Sequence, residues 1–375
     1  MDFDSLLLRM REKKASDLFI SAGIPPSLKI NGKIAPVSEN ALSGEEAKEI
    51  IFHVMPNDQK RHFERFNEAN FAIHQKEIGR FRVNVHRHQS QVGMVLRRIE
   101  TEIPSIEDLH LPQQYKEIAM YRQGLVLIIG ATGVGKSTTL ASMIDYRNKN
   151  SSGHIISIED PIEFVHESNS CIVTQREVGM DTDNFEIGLK NALRQAPDVV
   201  VIGEVRSRET MMHALQFAET GHLCLATLHA SNTNQVFDRI MSFFPDDQRK
   251  QISLDLSLAL KAIIGQRLVP TADEKERRPA VECLLNTPLV SNKILQNEIH
   301  ELSEVIKKSE QLGMCSFDQS LFKLFDEGLI SYEEALRFAD STNELRLRIK
   351  LSKQHGHHGR SVSNLLHSIS LVEDD

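Results

Sequence analysis

The sequence predicts an α/β protein with a small α+β region, a parallel sheet covered by helices and a mostly helical C-terminal part. Residues 80–88 mostly alternate apolar and polar side chains, which is typical of a strand with one buried face. Further along, helical patterns separate one continuous apolar run, at 125–129, and three mostly apolar stretches, at 154–158, 198–202 and 222–228. Such runs indicate buried parallel strands joined by helices. From about residue 245 helical patterns dominate.

The composition is that of an ordinary globular protein. Of the 375 residues, 40% are hydrophobic and 26% are charged, which excludes a collagen, a coiled-coil rod and a wholly disordered chain. Lys and Arg number 44 against 52 Asp and Glu, a formal net charge of −8. This charge excludes a protein that binds nucleic acid or an anionic membrane over its whole surface. A chain of this length is expected to hold two or three domains.

The cysteines and the lack of a long apolar run bear on the compartment. Cys171, Cys224, Cys283 and Cys315 form no CxxC pair, which favours buried small side chains in a reducing compartment over a zinc or redox site. No run reaches about 18 apolar residues, and Leu6-Leu7-Leu8 is too short for a signal peptide. We therefore expect a cytoplasmic protein without a transmembrane segment, which meets a membrane only by docking to a membrane-embedded protein.

Residues 1–100 predict the small α+β domain. A helical pattern covers 3–14, a short strand covers 17–20, and 44–66 predicts two helices broken at Pro56. In the strand at 80–88, one face is apolar and the other is polar. The polar face carries Arg80, Arg82, Asn84, His86 and His88, and the apolar face carries Phe81, Val83 and Val85.

Residues 101–123 predict a linker with one short helix, and 124–353 a second domain. Its helices are expected at about 184–195, 207–219, 298–311, 316–327, 331–340 and 342–352, with one further strand near 280–286. Residues 354–375 predict a flexible tail. Its His355, His357 and His358 favour a solvated segment over a metal site. Its apolar residues from Leu365 to Leu371 are a weak signal for a stub that docks on a partner.

Residues 130–137 match the pattern GxxxxGK[ST] at every fixed position, between a predicted buried strand and a predicted helix. The glycines let the backbone turn so that N–H groups converge on phosphate oxygens. Lys136 is suited to the β and γ phosphates and Ser137 to Mg²⁺. The candidate nucleotide-binding residues are Gly130, Ala131, Thr132, Gly133, Val134, Gly135, Lys136, Ser137 and Thr138. A fortuitous glycine loop is the alternative. The motif predicts ATP or a related triphosphate as ligand, but not how its energy is used.

Acidic residues and histidines stand at the ends of predicted parallel strands. Ile158–Glu163 follows one strand, Gly203–Arg206 follows another, and His222 and His229 bracket a third. Carboxylates at the carboxyl ends of such strands can orient an attacking water or hold the water shell of a metal. Plain strand caps are the alternative for the carboxylates, and a structural role is the alternative for the histidines.

These motifs, in this order, resemble the secretion ATPases of the GspE/PilT superfamily. Within it, the chain is similar to the type IV pilus retraction ATPases of the PilT/PilU family, and to the PilU branch more than to the PilT branch. The resemblance covers about residues 1–350. It implies a PAS-like N-terminal domain, matched by Ala15–Leu18 and Arg80–Asn84, followed by a RecA-like P-loop ATPase domain with a helical C-terminal part.

The resemblance also implies residue roles. Glu163 matches the general base, Glu204 the Walker B acid near Mg²⁺, and His229 a sensor of the γ phosphate. Arginines that reach the nucleotide are matched by Arg80, Arg82 and Arg97. An arginine acting on the transferring phosphoryl group is worth about 10³–10⁵ in rate. A solvated basic face is the alternative for these arginines.

The partners implied by the resemblance are further copies of the chain in a homohexamer, a PilT-like retraction ATPase and a PilC-like platform protein of the inner membrane. Leu289-Val290-Ser291 stands where PilT has Ala-Ile-Arg, which indicates an accessory motor that works with PilT. One alternative is an ATP-gated adaptor that scaffolds the PilT ring without hydrolysis of its own. A nucleic-acid translocase is disfavoured by the negative charge and the lack of a basic, aromatic track. A secretion or pilus-extension ATPase of the GspE type is disfavoured because a zinc-type tetracysteine motif is missing.

Overall fold

The computed structural model describes residues 2–30, 32–75, 78–99 and 102–354. The predicted tail, with its histidine tract and apolar stub, lies outside the described residues from 355 onward. The chain forms two compact units. The first comprises Met1–Ile103, Asp160–Glu167 and Gln175–Asp183, and the second comprises Pro104–Glu159, Ser168–Thr174 and Asn184–Asp375.

The first unit is built on an antiparallel sheet. Its elements are α1 (Phe3–Glu12), β1 (Asp17–Ser21), β2 (Ser27–Ile30), β3 (Lys33–Pro36), α2 (Gly44–Val54), α3 (Asn57–Phe66), β4 (Glu68–Gln75), β5 (Gly79–His88) and β6 (Gln91–Ile99). The strand order is β3-β2-β1-β6-β5-β4, with neighbouring strands antiparallel. The helices at 3–14 and 44–66, the break at Pro56 and the strand at 80–88 are therefore confirmed, whereas β4 and β6 were not anticipated.

Alternation along β5 separates a core face from a polar face. Phe81, Val83 and Val85 are fully buried and share one core with Leu6 and Leu7 of α1. The intervening polar residues of β5 remain partly or fully exposed. The predicted division of this strand is thus confirmed, and its polar face is the one that carries Arg80 and Arg82.

The second unit is built on a mostly parallel sheet. Its elements are α4 (Gln114–Ala119), β7 (Gly124–Ile129), α5 (Lys136–Asn150), β8 (Gly153–Glu159), β9 (Cys171–Glu177), α6 (Phe185–Ala192), β10 (Val199–Ile202), α7 (Arg208–Glu219), β11 (Leu223–Leu228), α8 (Thr233–Ser242), α9 (Arg249–Ala259), β12 (Leu260–Pro270), β13 (Arg277–Leu285), α10 (Pro288–Leu295), α11 (Leu302–Lys308), α12 (Phe317–Asp326), α13 (Tyr332–Phe338) and α14 (Thr342–Gln354). The strand order is β13-β12-β7-β11-β10-β8-β9, and of β9 the residues up to Thr174 belong to this unit. β12, β7, β11, β10 and β8 run parallel, and β13 is antiparallel to β12.

The expectation of a single strand after residue 245 was wrong, because β12 lies there as well. β12 pairs with β7 on one side and β13 on the other. A strand with both faces buried shows a continuous apolar run instead of alternation, and β12 has only a short one, Ala262–Ile264, which follows Lys261. Its pattern does not distinguish a buried strand from a buried helix.

Other local expectations need smaller corrections. The helix expected at 298–311 is a short α-helix, α11, flanked by 3₁₀ turns at Ile299–Glu301 and Glu310–Leu312. Cys171, Cys224 and Cys283 are buried as expected, whereas Cys315 is only partly buried. Among the described residues, the helices are too short or too polar to cross a membrane.

Candidate nucleotide-binding site

The carboxyl ends of three adjacent parallel strands bring the sequence motifs of the second unit together. β7 pairs with β11 as far as Ile129 and Leu228, and β11 pairs with β10 as far as Ala226 and Ile202. The glycine-rich loop at 130–137, called the P-loop below, follows β7. His229 follows β11 and Gly203 follows β10. Ligands of parallel sheets bind at this edge, where connecting loops and helix N-termini meet.

The glycines of the P-loop are required by its backbone path. Gly133 and Gly135 have φ of 80° and 90°. This left-handed region is strained for residues that carry a Cβ but not for glycine. Gly130 has φ of 151°, and a Cβ there would lie 2.7 Å from the Gln266 carbonyl oxygen. The loop therefore turns tightly between β7 and α5.

Lys136 is held at the centre of this loop. It is 9% exposed, and its Nζ donates to the carbonyl oxygens of Gly130 at 2.9 Å and Ala131 at 2.8 Å. Ser137 and Thr138 follow in the first turn of α5, whose N-cap, Gly135, gives it no side-chain cap. The first N–H groups of a helix attract anions when no side chain occupies them. This is the arrangement that a phosphate-binding loop requires.

His229 lies between Lys136 and Glu204. Its Nδ1 is 3.5 Å from Lys136 Nζ, and its Nε2 is 3.2 Å from Glu204 Oε1. A lysine ammonium can only donate and a carboxylate can only accept, so these partners place the ring proton on Nε2. One imidazole therefore connects the loops that follow β7 and β10.

Glu204 is oriented by its own neighbours. Its Oε2 lies 2.6 Å from Nη2 of Arg206, and its side chain is 16% exposed. The preceding residue, Gly203, accepts a hydrogen bond of 2.5 Å from Thr227 Oγ1 through its carbonyl oxygen, and the Val205 N–H donates to the Thr227 carbonyl at 2.8 Å. These contacts fix the segment 203–205 against the end of β11. Ser137 and Glu204 offer a hydroxyl and a carboxylate, which are oxygen ligands of the kind that Mg²⁺ prefers.

His222 lies at the opposite end of β11 from His229. Its Nδ1 is 3.0 Å from Thr220 Oγ1 and 3.2 Å from the Phe217 carbonyl oxygen. Its ring meets the Phe217 ring edge-on, with centroids 5.9 Å apart. The two bracketing histidines thus separate into one at the candidate site and one with structural partners.

The three candidate arginines lie together in the first unit. Arg82 is the direct cross-strand partner of Arg97, and Arg80 lies two residues away on the same face of β5. Arg97 Nε donates to Asp17 Oδ1 at 2.9 Å. Arg82 also lines a cavity of about 340 Å³ with polar walls that include Glu177. This face therefore concentrates positive charge in a chain that is negative overall. Cations that face one another across strands repel, so the arrangement is unfavourable unless an anion lies nearby.

Glu163 also belongs to the first unit, in an irregular segment after β8. Its side chain is exposed, and the neighbouring Ile162 N–H donates to Oε2 of the buried Glu177 at 3.1 Å. The predicted site residues thus form two groups. Lys136, Glu204 and His229 come together in the second unit, while the arginines and Glu163 lie in the first.

Comparison with known proteins agrees with this architecture. The family described as "Type II/IV secretion system protein" matches residues 12–318. The chain is 57% identical to the type IV pilus ATPase PilU of Pseudomonas aeruginosa, over 100% of this chain and 98% of that protein. It is 38% identical to the type IV pilus retractation ATPase PilT of the same organism, over 89% of this chain and 97% of PilT. The chain belongs to the PilT/PilU family of type II/IV secretion system proteins.

A solved structure confirms the predicted fold of this PilT/PilU family member. The crystal structure of the pilus retraction motor PilT with bound ADP has 37% sequence identity and a TM-score of 0.87, over 92% of this chain and 99% of that chain. The Legionella pneumophila ATPase DotB has 28% identity and a TM-score of 0.76, over 92% and 94%. The N-terminal domain followed by a RecA-like ATPase domain with a helical C-terminal part is therefore established.

Sequence reasoning missed one residue that contacts the P-loop of this family member. Gln266 of β12 is 5% exposed, and its Nε2 donates to the Val134 carbonyl oxygen at 2.9 Å. Its Oε1 accepts from Thr139 Oγ1 at 2.6 Å. The available signal was a Gln-Arg pair one glycine after a short apolar run, which became informative only once that run was known to be part of a strand beside β7.

Proposed function

We propose that this chain is a Mg²⁺-dependent ATPase motor that drives or assists type IV pilus retraction and twitching motility. The observation that carries the proposal is the group formed by Lys136, His229 and Glu204 at the ends of three adjacent strands. Its similarity to PilU and PilT, both named pilus ATPases, supports the use of this site in a pilus motor. The reaction is hydrolysis of ATP to ADP and phosphate.

The residues of the second unit divide the work of phosphate binding. The N–H groups of the P-loop and of the first turn of α5 bind the phosphates, and Lys136 neutralises their charge. Ser137 and Glu204 are the residues suited to Mg²⁺, which when bound offsets charge on the β and γ phosphates. His229 donates or accepts a hydrogen bond where the γ phosphate sits, so that segment responds to the presence of that phosphate. Thr138 is suited to contact the α phosphate.

The proposal assigns two further roles on the strength of the family resemblance. Glu163 acts as the general base that orients the attacking water, a role for which an exposed carboxylate has the right chemistry. Arg80, Arg82 and Arg97 reach the nucleotide and stabilise charge that develops on the transferring phosphoryl group. Support for the arginines comes from their shared sheet face.

The proposed partners follow from the same relatives. We propose a homohexamer that works beside a PilT-like retraction ATPase. It acts from the cytoplasmic side through a PilC-like platform protein of the inner membrane. The sequence at Leu289–Ser291, in the first turn of α10, is the feature that favours the accessory role. Leu289 is 51% exposed and is therefore open to a partner.

Steady-state ATP hydrolysis by the full-length chain tests the enzymatic proposal. Lys136→Ala is expected to lower turnover by at least about 10²–10³, the effect of removing one charged donor from a phosphoryl-transfer site. Lys149→Ala is the matched control, because Lys149 lies at the other end of the same helix and pairs with Asp145. Unchanged turnover in Lys136→Ala would contradict the proposed site. Retraction supported by an inactive variant beside an active PilT-like ATPase would favour the adaptor.

A further inference from the structure

Two consecutive residues of β12 contact the two segments that we propose to bind phosphate. These are the P-loop and the segment that follows β11, beginning with His229. Gln266 and Arg267 lie near the end of β12, beyond Gly265, which pairs with the last residue of β7. Successive side chains of a strand point to opposite faces of the sheet. Gln266 is 5% exposed and the Arg267 side chain is 18% exposed. Polar groups buried to this degree require partners, and each of the two has a different set.

Gln266 holds the P-loop. Its amide donates to the Val134 carbonyl and accepts from the Thr139 hydroxyl, which lies one turn into α5. Gln266 therefore ties two points to β12: the loop at Val134 and the first turn of α5 at Thr139. The close approach of Gly130 and Gly135 to Gln266 confirms that little room separates them, since a Cβ on Gly135 would lie 3.0 Å from Gln266 Nε2.

Arg267 holds the segment that carries His229. Its Nη2 donates to the Ser231 carbonyl oxygen at 3.3 Å, two residues beyond His229. Its Nη1 donates to the Phe338 carbonyl at 2.6 Å, and its Nη2 lies 2.5 Å from Asp340 Oδ1. The guanidinium stacks over the Phe317 ring at 3.8 Å. Only the planar fork of an arginine satisfies these partners at once.

A second anchor lies just beyond Ser231. Glu282 Oε1, on β13, accepts from the backbone N–H and the hydroxyl of Thr233 at 2.7 Å each. Between the anchors, Asn232 caps α8 through a bond from the Gln235 N–H at 3.0 Å. The segment after His229 is thus fixed to β12 and β13 on both sides of Asn232. His229, at the start of this segment, contacts Lys136 at 3.5 Å.

We propose that Gln266 and Arg267 are positioning residues for the nucleotide. Gln266 sets the P-loop, and Arg267 sets the His229 segment, so that Lys136 and His229 meet the phosphates of the same ligand. The inference rests on the proposed function, because it takes ATP as that ligand. Gln266 acts on a loop that binds any nucleotide with a β phosphate, whereas Arg267 acts on a segment that meets only the γ phosphate. Their loss should therefore have different signatures.

Nucleotide binding to the full-length chain separates these signatures. Gln266→Met keeps the side-chain length without its hydrogen bonds, and Arg267→Lys keeps the charge without the fork. We expect Q266M to raise the dissociation constants of ADP and of a non-hydrolysable ATP analogue together, by about tenfold. We expect R267K to leave the ADP constant within about twofold and to raise that of the analogue by about tenfold. Calorimetric titration measures both.

Arg278→Lys is the matched control. Arg278 lies on β13 with a side-chain exposure of 20%, close to that of Arg267, and pairs with Glu276. Its substitution is expected to change neither constant. Equal effects of R267K on both ligands, or no effect, would overturn the role of Arg267, and unchanged constants in Q266M would overturn that of Gln266. If Q266M does not yield folded protein, Gln266→Asn takes its place.

The two proposals fail in different ways. A wild-type chain that binds both ligands without hydrolysing ATP contradicts the proposed enzyme, while the ratio of the two dissociation constants still reports on positioning. A wild-type chain that hydrolyses ATP, with an R267K variant that binds both ligands normally, contradicts the positioning role alone.

Discussion

At the scale of single residues, His229 is the residue on which the candidate site depends most. Lys136 can only donate to it and Glu204 can only accept from it, which assigns the donating position of the ring to Nε2 and the accepting position to Nδ1. The same ring therefore has one accepting and one donating side. If a phosphate takes the place of Lys136 at His229 Nδ1, the hydrogen bond between His229 and Glu204 changes as well. This property suits a residue that reports the state of the phosphates.

Replacing His229 by Gln is expected to slow ATP turnover by about 10²-fold, the effect of one lost partner at developing charge, with little change in ADP affinity. His222→Gln provides the control, because His222 lies at the other end of β11 and contacts Phe217 and Thr220. Steady-state kinetics and ADP titration of both variants make the comparison. Wild-type turnover in H229Q, or an equal loss in H222Q, would contradict a specific role of His229 in ATP turnover.

Glu282 makes a prediction about pH. Burial raises the pKa of this carboxyl group, against the hydrogen bonds from Thr233 that lower it. The folded chain then holds the proton more tightly than the unfolded chain, so ionisation costs stability as pH rises above the unfolded value and through the folded one. Glu282→Gln keeps an acceptor for Thr233 and removes this cost. We expect E282Q to gain in melting temperature relative to wild type between pH 4 and pH 7; a constant difference would contradict the raised pKa.

At the scale of elements, β12 shows how far the sequence can be followed. The P-loop strand, its helix and the alternating strand β5 were predictable because each has a local signature: a glycine pattern, an apolar run of strand length or a two-residue period. β12 has a weaker signature, since Lys261 interrupts its apolar residues and the short run at 262–264 does not distinguish a strand from a helix. Gln266 and Arg267 were missed with it. The residues of the site that lie on loops were found, and those that hold the loops were not.

Gly265 offers a prediction for this strand. A Cβ at this position would lie 2.9 Å from Cζ of Phe317 and 3.2 Å from Cβ of Glu282. Gly265→Ala should therefore overpack the site and lower the free energy of unfolding by about 1–3 kcal/mol. Phe317→Leu shortens the opposing ring, so the double variant should lose less than the sum of the two single losses. Denaturant unfolding measures all three, and strictly additive losses would contradict the steric explanation.

At the scale of the whole molecule, positive charge is concentrated at a few places in a chain that is negative overall. The net charge of −8 coexists with a sheet face in the first unit on which Arg80, Arg82 and Arg97 lie together. Among the described residues of the second unit, Lys136 is the one buried lysine, and it lies among the carbonyl groups of its loop. Positive charge is thus placed locally, as a small polyanion such as ATP requires, instead of over a broad surface as a nucleic acid requires. Sequence composition excluded the broad basic surface, the alternation of β5 placed Arg80 and Arg82 on one face, and the strand register added Arg97 to it.

Nucleotide binding should also be visible in the stability of the second unit, because a ligand that binds only the folded state stabilises it by mass action. Mg²⁺ and ADP at about 100 times the dissociation constant are expected to add about 2.7 kcal/mol, a rise of about 2–4 °C per kcal/mol for a unit of this size. Calorimetric melting of the full-length chain measures the shift. Lys136→Ala should abolish it, because the buried ammonium is then missing from the loop, whereas Lys149→Ala should shift as the wild type does. If the chain melts in two steps, the step that ADP raises belongs to the unit that carries the P-loop. An equal shift in K136A would mean that ADP binds elsewhere, and no shift in the wild type would contradict nucleotide binding itself.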